Sequence, residues 1–329
     1  MVTIKEVAAH AGVSPSTVTK VLKNYPQISQ ETKEKVHKSV NELGYVANAY
    51  ASMLSSKSHN KIALVVNVNN SRQSIDEINM LYILGGISKA KELGMDIITI
   101  FSTSLEDMSY EEIVRYFKSQ LITGLIFYGL SKEHVVYHKI IKEEIFDVVG
   151  VDADIVNTRT SAVCVDHFHG QYEVAKKLIT ENNAKKILYI AGNMNGYVTD
   201  IRLKAMRQLA RDLKLDVQYE YGIFSEKKAK QITNTYAKNC DVIVCASDLM
   251  AIGAIKELER MDIYRPVSGY DGITLTGYIA DGMYTVKQDF YKVSQEAITE
   301  MQNLIEKKPT RLVLLPHKII CVKYEDIIT

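Results

Sequence analysis

"GVSPSTVTKVLKN", residues 12–24, decides how the first part of this chain folds. Ser14 is a good helix N-cap and Pro15 suits a first helical turn, so we predict a helix over residues 15–22. Val18 and Val21 are spaced to face inward on that helix. The residues that then face outward are Pro15, Ser16, Thr17, Thr19 and Lys20.

Two further helices are predicted on either side of this one. Thr3 and Glu6 have capping-box spacing, so a first helix runs from there to about Ala11 and stops at Gly12. A third helix begins at Ser29 and ends at Gly44. Its buried face is predicted to carry Val36, Val40 and Leu43. Three short helices with a tight glycine turn match the helix-turn-helix pattern, although a plain three-helix bundle with a solvated, lysine-bearing face shares it.

Length and charge divide the 329 residues into unequal parts. The chain is 47% apolar and 24% charged, as in a soluble globular protein, and its length favours two or three domains. Residues 1–60 contain seven lysines and four glutamates, a net +3, which leaves −2 for the rest of a chain with formal net charge +1. A small basic unit therefore precedes a larger, slightly acidic one.

"TIKEVAAHAGVSPSTVTKVLKN" and "ISQETKEKVHKSVNELGYVANAYASML" resemble the N-terminus of the lactose-repressor (LacI/GalR) family of bacterial transcription regulators. The resemblance implies a helix-turn-helix DNA-binding domain over residues 1–46, with its second helix in the major groove of operator DNA. The positions it matches to DNA contacts are Thr3, Pro15, Ser16, Thr17, Thr19, Lys20, Asn48, Ala51 and Leu54. Residues 47–60 would form a hinge helix and linker, with Leu54 wedged into the minor groove; a plain linker is the alternative.

From residue 61 onward, apolar runs such as "KIALVVNV", "GLIFYG" and "DVIVCAS" alternate with amphipathic stretches. This pattern predicts an α/β core of two doubly wound parallel-sheet lobes. We expect one lobe at about 61–162 and 290–313, and the other at about 163–289 and 314–329. The predicted helices include 75–93, 171–182, 200–212, 249–260 and 291–307.

Several predicted strands end in a polar or aromatic residue, and ligands bind outside the carboxyl ends of strands in such sheets. These residues are Tyr128, Asp152, Asp166, Ser247, Asp248 and Asp271. A single aspartate at such a position also caps helices or loops, so each one alone has two interpretations.

"YVTDIRLKAM" and "SGYDG" resemble the core of the same family, whose fold is similar to that of periplasmic sugar-binding proteins. The resemblance implies that Arg202 clamps two vicinal hydroxyls, that Asp271 accepts from sugar hydroxyls and that Phe224 stacks on the sugar. The other crevice positions it implies are Asn79, Tyr128, Asp152, Ser247 and Gln288. "NNSRQSID" departs from relatives in a loop that faces the ligand, so the identity of the effector does not transfer.

We therefore expect a transcriptional repressor whose affinity for double-stranded operator DNA is controlled by a small effector, a sugar or sugar derivative. A sugar-binding receptor is one alternative, and a sugar-processing enzyme with Asp152 and Asp271 as its acid–base pair is another. No dinucleotide or P-loop motif occurs, so no cofactor is expected. The close histidine pairs His134/His138 and His167/His169 lack further ligands, so no metal site is expected either.

The location and assembly follow from simpler features. Met1 leads directly into a capped helix without an apolar leader, and no stretch reaches the length of a membrane span, so we expect the cytoplasm. The four cysteines lie in or beside apolar runs and are expected to be buried free thiols. Because no heptad segment follows the last apolar run, we expect a homodimer.

Overall fold

The computed structural model describes residues 2–22, 25–45, 61–68 and 77–326. The chain divides into two compact units, Met1–His59 and Asn60–Thr329. The predicted hinge residues Asn48, Ala51 and Leu54 lie outside the described residues.

The described residues of the first unit form three helices: α1 (Ile4–Ala11), α2 (Pro15–Leu22) and α3 (Gln30–Leu43). The predicted capping box at Thr3 and Glu6 is present, and Gly12 ends α1 with φ at 67°. The buried core of this first unit is formed by five side chains: Val7, Ala8, Val18, Val21 and Val36.

The predicted buried face of α3 is only partly right. Val36 is buried, whereas Val40 and Leu43 are half-buried at the margin of the small core. Ser39 is buried instead, because its hydroxyl bonds to Nδ1 of His10 on α1 at 3.0 Å and donates to the Lys35 carbonyl.

The described part of the second unit forms two six-stranded sheets, as expected for two doubly wound lobes. The strands are β1 (Lys61–Val66), β2 (Asp96–Phe101), β3 (Ile122–Tyr128), β4 (Asp147–Val151), β5 (Thr160–Val165), β6 (Lys186–Ala191), β7 (Asp216–Tyr221), β8 (Val242–Cys245), β9 (Val267–Ser268), β10 (Tyr284–Lys287), β11 (Leu312–Leu315) and β12 (Lys318–Cys321). The N-lobe sheet has the order β11-β5-β4-β3-β1-β2 and the C-lobe sheet β12-β10-β9-β8-β6-β7. The strand pairs are parallel apart from β10 with β12.

Helices cover the faces of both sheets. They are α4 (Glu77–Glu92), α5 (Tyr110–Ser119), α6 (Val135–Lys142), α7 (His167–Glu181), α8 (Tyr197–Leu213), α9 (Glu226–Tyr236), α10 (Asp248–Met261) and α11 (Phe290–Ile305). The chain crosses between the sheets three times, after β5, after β10 and after β11. Among the described residues, none of the helices combines the length and apolar character needed to cross a membrane.

The helix at the first crossing begins four residues before its predicted start at 171. Asp166 caps it, since its carboxylate accepts a hydrogen bond from the backbone N–H of His169 at 3.1 Å. This start places His167 in the first helical turn, at the carboxyl end of the N-lobe sheet.

The two helices α4 and α11 of the N-lobe pack closely because glycine stands at their contact. A Cβ added to Gly85 would lie 2.2 Å from the carbonyl oxygen of Tyr291. That oxygen belongs to the backbone of α11, so it cannot rotate away as a flexible side chain would.

We therefore predict that Gly85→Ala destabilises the protein even though alanine favours helix. Overpacking of this kind costs about 1–3 kcal/mol, which exceeds the gain of about 1 kcal/mol in helix propensity. The measurement is urea unfolding followed by circular dichroism, with Ser88→Ala on the exposed face of α4 as control. Equal stability of the two variants would contradict the close helix contact.

Candidate functional site

The outer face of α2 combines exposure with a firmly held inner face. Val18 and Val21 are completely buried, whereas Pro15, Ser16 and Lys20 are exposed. The two valines fix the rotation of the helix, so its N-terminal turn and Lys20 point into solvent. This face can offer a hydroxyl and an ammonium group to phosphates and base edges.

Three predicted contact residues of this unit already have local hydrogen bonds. The Thr3 hydroxyl caps α1 by accepting from the backbone N–H of Glu6, and it donates to the Glu6 carboxylate at 2.9 Å. Thr17 is half-buried and shares a 2.8 Å bond with Ser14, while Thr19 donates to the carbonyl of Pro15 at 3.0 Å. Each hydroxyl oxygen can accept or share a further bond, but these residues also support the helices.

The two lobes of the second unit touch at both edges of the crevice between them. At one edge, the backbone N–H and the hydroxyl of Thr274 donate to the Glu77 carboxylate at 2.9 and 2.8 Å. At the other edge, the Lys132 backbone N–H donates to the carbonyl of Asn195 at 2.9 Å, and the Lys132 ammonium pairs with Asp200. These contacts hold the lobes in a closed arrangement.

Arg202, on α8 of the C-lobe, lies at the centre of the closed crevice and is 3% exposed. Its Nη1 donates to the carbonyl of Ala246 at 2.6 Å and lies 3.7 Å from Oδ1 of Asp271. The guanidinium plane lies over the Tyr270 ring, with Cζ 3.6 Å from the ring centroid. Its Nε is buried without a hydrogen-bond partner in the described structure, so it remains available as a donor.

Asp152 follows β4 and brings the N-lobe to this centre. Its Oδ1 lies 2.8 Å from Nε2 of His167 and accepts from the Val165 backbone N–H, and its Oδ2 accepts from the Tyr82 hydroxyl at 3.1 Å. The backbone of Asp152 has a φ of 56°, a left-handed conformation that aspartate tolerates better than most residues.

Asp271 and Gln288 complete the C-lobe side of the cluster. Gln288 donates to Oδ1 of Asp271 at 2.9 Å, and its own Oε1 is buried without a partner in the described structure. Asp271 has a φ of 122°, where backbone strain is expected for a residue other than glycine. Asp248, at the start of α10, is fully buried and accepts from the backbone N–H groups of Gly272 and Ile273 at 2.7 and 2.9 Å.

The pKa values of the three carboxyl groups differ because Asp152 has His167 as well as Arg202 beside it, whereas Asp248 and Asp271 do not have His167. Burial acts to raise the pKa of Asp152, but His167 and Arg202 outweigh it, and the pKa lies below its ordinary value. Burial raises the pKa of Asp248 and of Asp271; for Asp271, Arg202 opposes this effect and the Asp248 charge adds to it. The crevice therefore holds buried carboxyl groups whose ionised form is costly, and an incoming ligand with several hydroxyl donors can compensate that cost.

The structure thus brings four predicted effector residues together: Asp152, Arg202, Asp271 and Gln288. The other four have different contacts. Tyr128 is buried, with its hydroxyl 2.6 Å from that of Ser294, and Ser247 caps α10. Phe224 packs over Gly192, and the side-chain amide of Asn79 donates to the carbonyl of Asn67.

Three members of the cluster were not predicted as site residues: Tyr82, His167 and Tyr270. Tyr270 precedes a predicted site residue, and His167 follows a strand-end aspartate, so proximity to a strand end was the available signal. His134 and His138 both contact the backbone of Ser131, in agreement with a structural role. The four cysteines are free, three of them buried and Cys321 half-buried.

The raised pKa of Asp271 gives a testable link between the site and stability. The folded state holds the carboxyl proton of Asp271 more tightly than the unfolded state does. The free energy of unfolding therefore falls as the pH rises above 3.8, the ordinary pKa of an aspartate. We predict that Asp271→Asn raises this free energy at pH 7.5 by about 1 kcal/mol or more, and by less at pH 5. Urea titrations at both pH values test this, with the exposed Asp281→Asn as control; a pH-independent loss of stability would contradict it.

Two family models match the chain. Residues 3–48 match the model of bacterial regulatory proteins of the lacI family, and residues 136–309, more than half of the chain, match a periplasmic binding protein domain. The four cysteines, the histidine pairs and the buried cluster all lie outside the segment matched by the first model.

Similar proteins match this chain over nearly its whole length. The HTH-type transcriptional regulator CelR of Thermobifida fusca is 27% identical over 97% of both chains, and MalR of Streptococcus pneumoniae is 28% identical over 97% of this chain and 99% of its own. A crystal structure of the Lac repressor dimer bound to operator and the anti-inducer ONPF has a TM-score of 0.82 at 21% identity, covering 98% of this chain and 99% of its own. A CelR–cellobiose complex has a TM-score of 0.71 at 22% identity, covering 98% and 100%. The chain therefore belongs to the lacI family of bacterial regulatory proteins, as a transcriptional regulator and not an enzyme.

Proposed function

We propose that this regulator is a repressor that binds operator DNA through the outer face of α2. The observation that supports this most directly is the exposure of Ser16 and Lys20 on a helix locked by buried Val18 and Val21. The DNA-contacting set that we propose is Thr3, Pro15, Ser16, Thr17, Thr19 and Lys20, followed by Asn48, Ala51 and Leu54. Lysine donates to guanine or to phosphate without the fixed fork of arginine, so its base preference is less strict.

We further propose that a carbohydrate in the crevice between the lobes controls the affinity for DNA. Buried, unpartnered Nε of Arg202 and Oε1 of Gln288 offer one donor and one acceptor next to the Asp271 carboxylate. Such a mixed set suits a molecule whose hydroxyls both donate and accept, as a sugar does. The proposed effector residues are Asn79, Tyr128, Asp152, Arg202, Phe224, Ser247, Asp271 and Gln288.

The assembly and location that we propose follow from the DNA partner. A helix-turn-helix dimer reads two half-sites related by a twofold axis, so we propose a homodimer in the cytoplasm. The boundaries that we propose are 1–46 for the DNA-binding domain, 47–60 for the hinge and 61–329 for the core. Ligand and DNA would then be linked through the equilibrium between lobe arrangements.

The DNA-binding proposal predicts tight, salt-dependent binding to duplex DNA from the region upstream of this protein's own gene, and weaker binding to a random duplex. Lys20→Ala should lower the specific affinity about tenfold, because it removes a groove contact. The control is Lys38→Ala, which removes the same charge from an exposed position on α3. Fluorescence anisotropy at two salt concentrations measures both.

Equal losses for the two lysine variants would contradict the orientation assigned to α2. Binding no tighter than to the random duplex, at either salt concentration, would contradict operator recognition in that region.

The effector proposal predicts that one sugar from a panel of ribose, glucose, maltose, lactose and cellobiose changes the DNA affinity at least about fivefold. Asp271→Ala should abolish that response because it removes both carboxyl oxygens that can bond to sugar hydroxyls, whereas the exposed Asp281→Ala should keep it. The same anisotropy assay serves, with the sugar added before the DNA. A response that survives in Asp271→Ala would place the sugar elsewhere.

A further inference from the structure

His167 is a buried titratable residue that belongs neither to the proposed DNA-contacting residues nor to the proposed effector-contacting residues. It is 1% exposed and stands where the chain first crosses from the N-lobe sheet to the helix α7 of the C-lobe. Its Nε2 lies 2.8 Å from Oδ1 of Asp152, and its Nδ1 lies 3.3 Å from Nη2 of Arg202 and 3.1 Å from the Tyr270 hydroxyl. One ring therefore contacts a carboxylate of one lobe and a guanidinium of the other.

The partners of the ring fix where its proton lies. The Asp152 carboxylate can only accept and the Arg202 guanidinium can only donate, so the ring must donate through Nε2 and accept through Nδ1. A protonated ring would turn an N–H toward the guanidinium. Burial, aided by the Arg202 charge and opposed by Asp152, lowers the pKa of His167, in agreement with a neutral ring.

The two partners are themselves anchored within their lobes. On the N-lobe side, the Tyr82 hydroxyl donates to Asp152, and on the C-lobe side, Arg202 donates to the carbonyl of Ala246. A shift of one lobe against the other must therefore stretch one of the two bonds of the His167 ring. The His167 ring therefore links the position of the Arg202 guanidinium to the arrangement of the two lobes.

We propose that His167 is a positioning residue for Arg202: its neutral ring aligns the guanidinium with Asp152 and makes that alignment depend on lobe closure. The proposal rests on the crevice being the effector site, since only then does the alignment of Arg202 control binding. A merely space-filling histidine would stabilise the core without coupling its two partners.

The test is a double-mutant cycle between Asp152→Asn and Arg202→Lys, repeated in His167→Asn and His167→Gln backgrounds. Arg202→Lys keeps the positive charge, so direct charge attraction between the two sites contributes little to the cycle. Asparagine at 167 retains an acceptor near the Nδ1 position, whereas glutamine retains a donor near the Nε2 position, so each keeps one end of the bridge. The full chain contains no tryptophan, so Tyr197→Trp in every variant gives one core reporter for urea unfolding.

With His167 present, we expect the effect of the double substitution on the unfolding equilibrium constant to differ about fivefold from the product of the two single effects. A difference of this size is typical of residues in one network. In both His167 backgrounds the difference should fall below about twofold. A difference of equal size in all three backgrounds, or none with His167 present, would overturn the proposal.

A second measurement needs no variant of the partners, so it can overturn the proposal even if those variants fail to fold. In the native chain labelled with ¹⁵N-histidine, the His167 resonance, assigned by its absence in His167→Gln, should report a neutral ring protonated at Nε2 at pH 7. A ring protonated at Nδ1 would overturn the proposal. Neither measurement contains DNA or sugar, so failure here and failure of operator or effector binding are separate results.

Discussion

One buried positive charge shared among several carboxyl groups is the constraint on which the crevice depends. Arg202 contacts His167, Tyr270 and Asp271 and attracts the buried Asp248 as well. A single guanidinium cannot neutralise all the carboxyl groups near it in their ionised form, so ionising them is costly while the lobes are closed. The remaining cost favours any ligand that supplies the missing hydrogen bonds.

This cost also explains how a small ligand in the crevice of the second unit can influence DNA binding by the first unit. Closing the lobes brings Asp152 and Arg202 into one network, and the edge contacts of Glu77 and Lys132 close with it. A ligand that prefers one lobe arrangement shifts the population of that arrangement by its differential affinity, and by nothing else. The DNA-binding unit responds only if it too distinguishes the two arrangements.

The sequence predicted the parts of this protein that local physics controls. Capping at Thr3, the glycine end at Gly12 and the inward face of α2 follow from neighbouring residues, and the alternation of strands and helices follows from hydrophobic patterning. The start of α7 at His167 was missed because a strand-end aspartate can cap a helix or face a ligand, and Asp166 does the first. The participation of Tyr82 could not be predicted, since only the fold brings a helix residue beside a strand end 70 positions away.

The central claim is that the crevice and the helix-turn-helix communicate, and linkage makes this measurable from the ligand side. Calorimetric titration of the full-length protein with the sugar that changes DNA affinity, with and without saturating operator duplex, compares the two sugar affinities directly. We predict that they differ by the same factor by which the sugar changes the DNA affinity, at least about fivefold, because coupling free energies are reciprocal. Identical sugar affinities with and without operator would contradict the account.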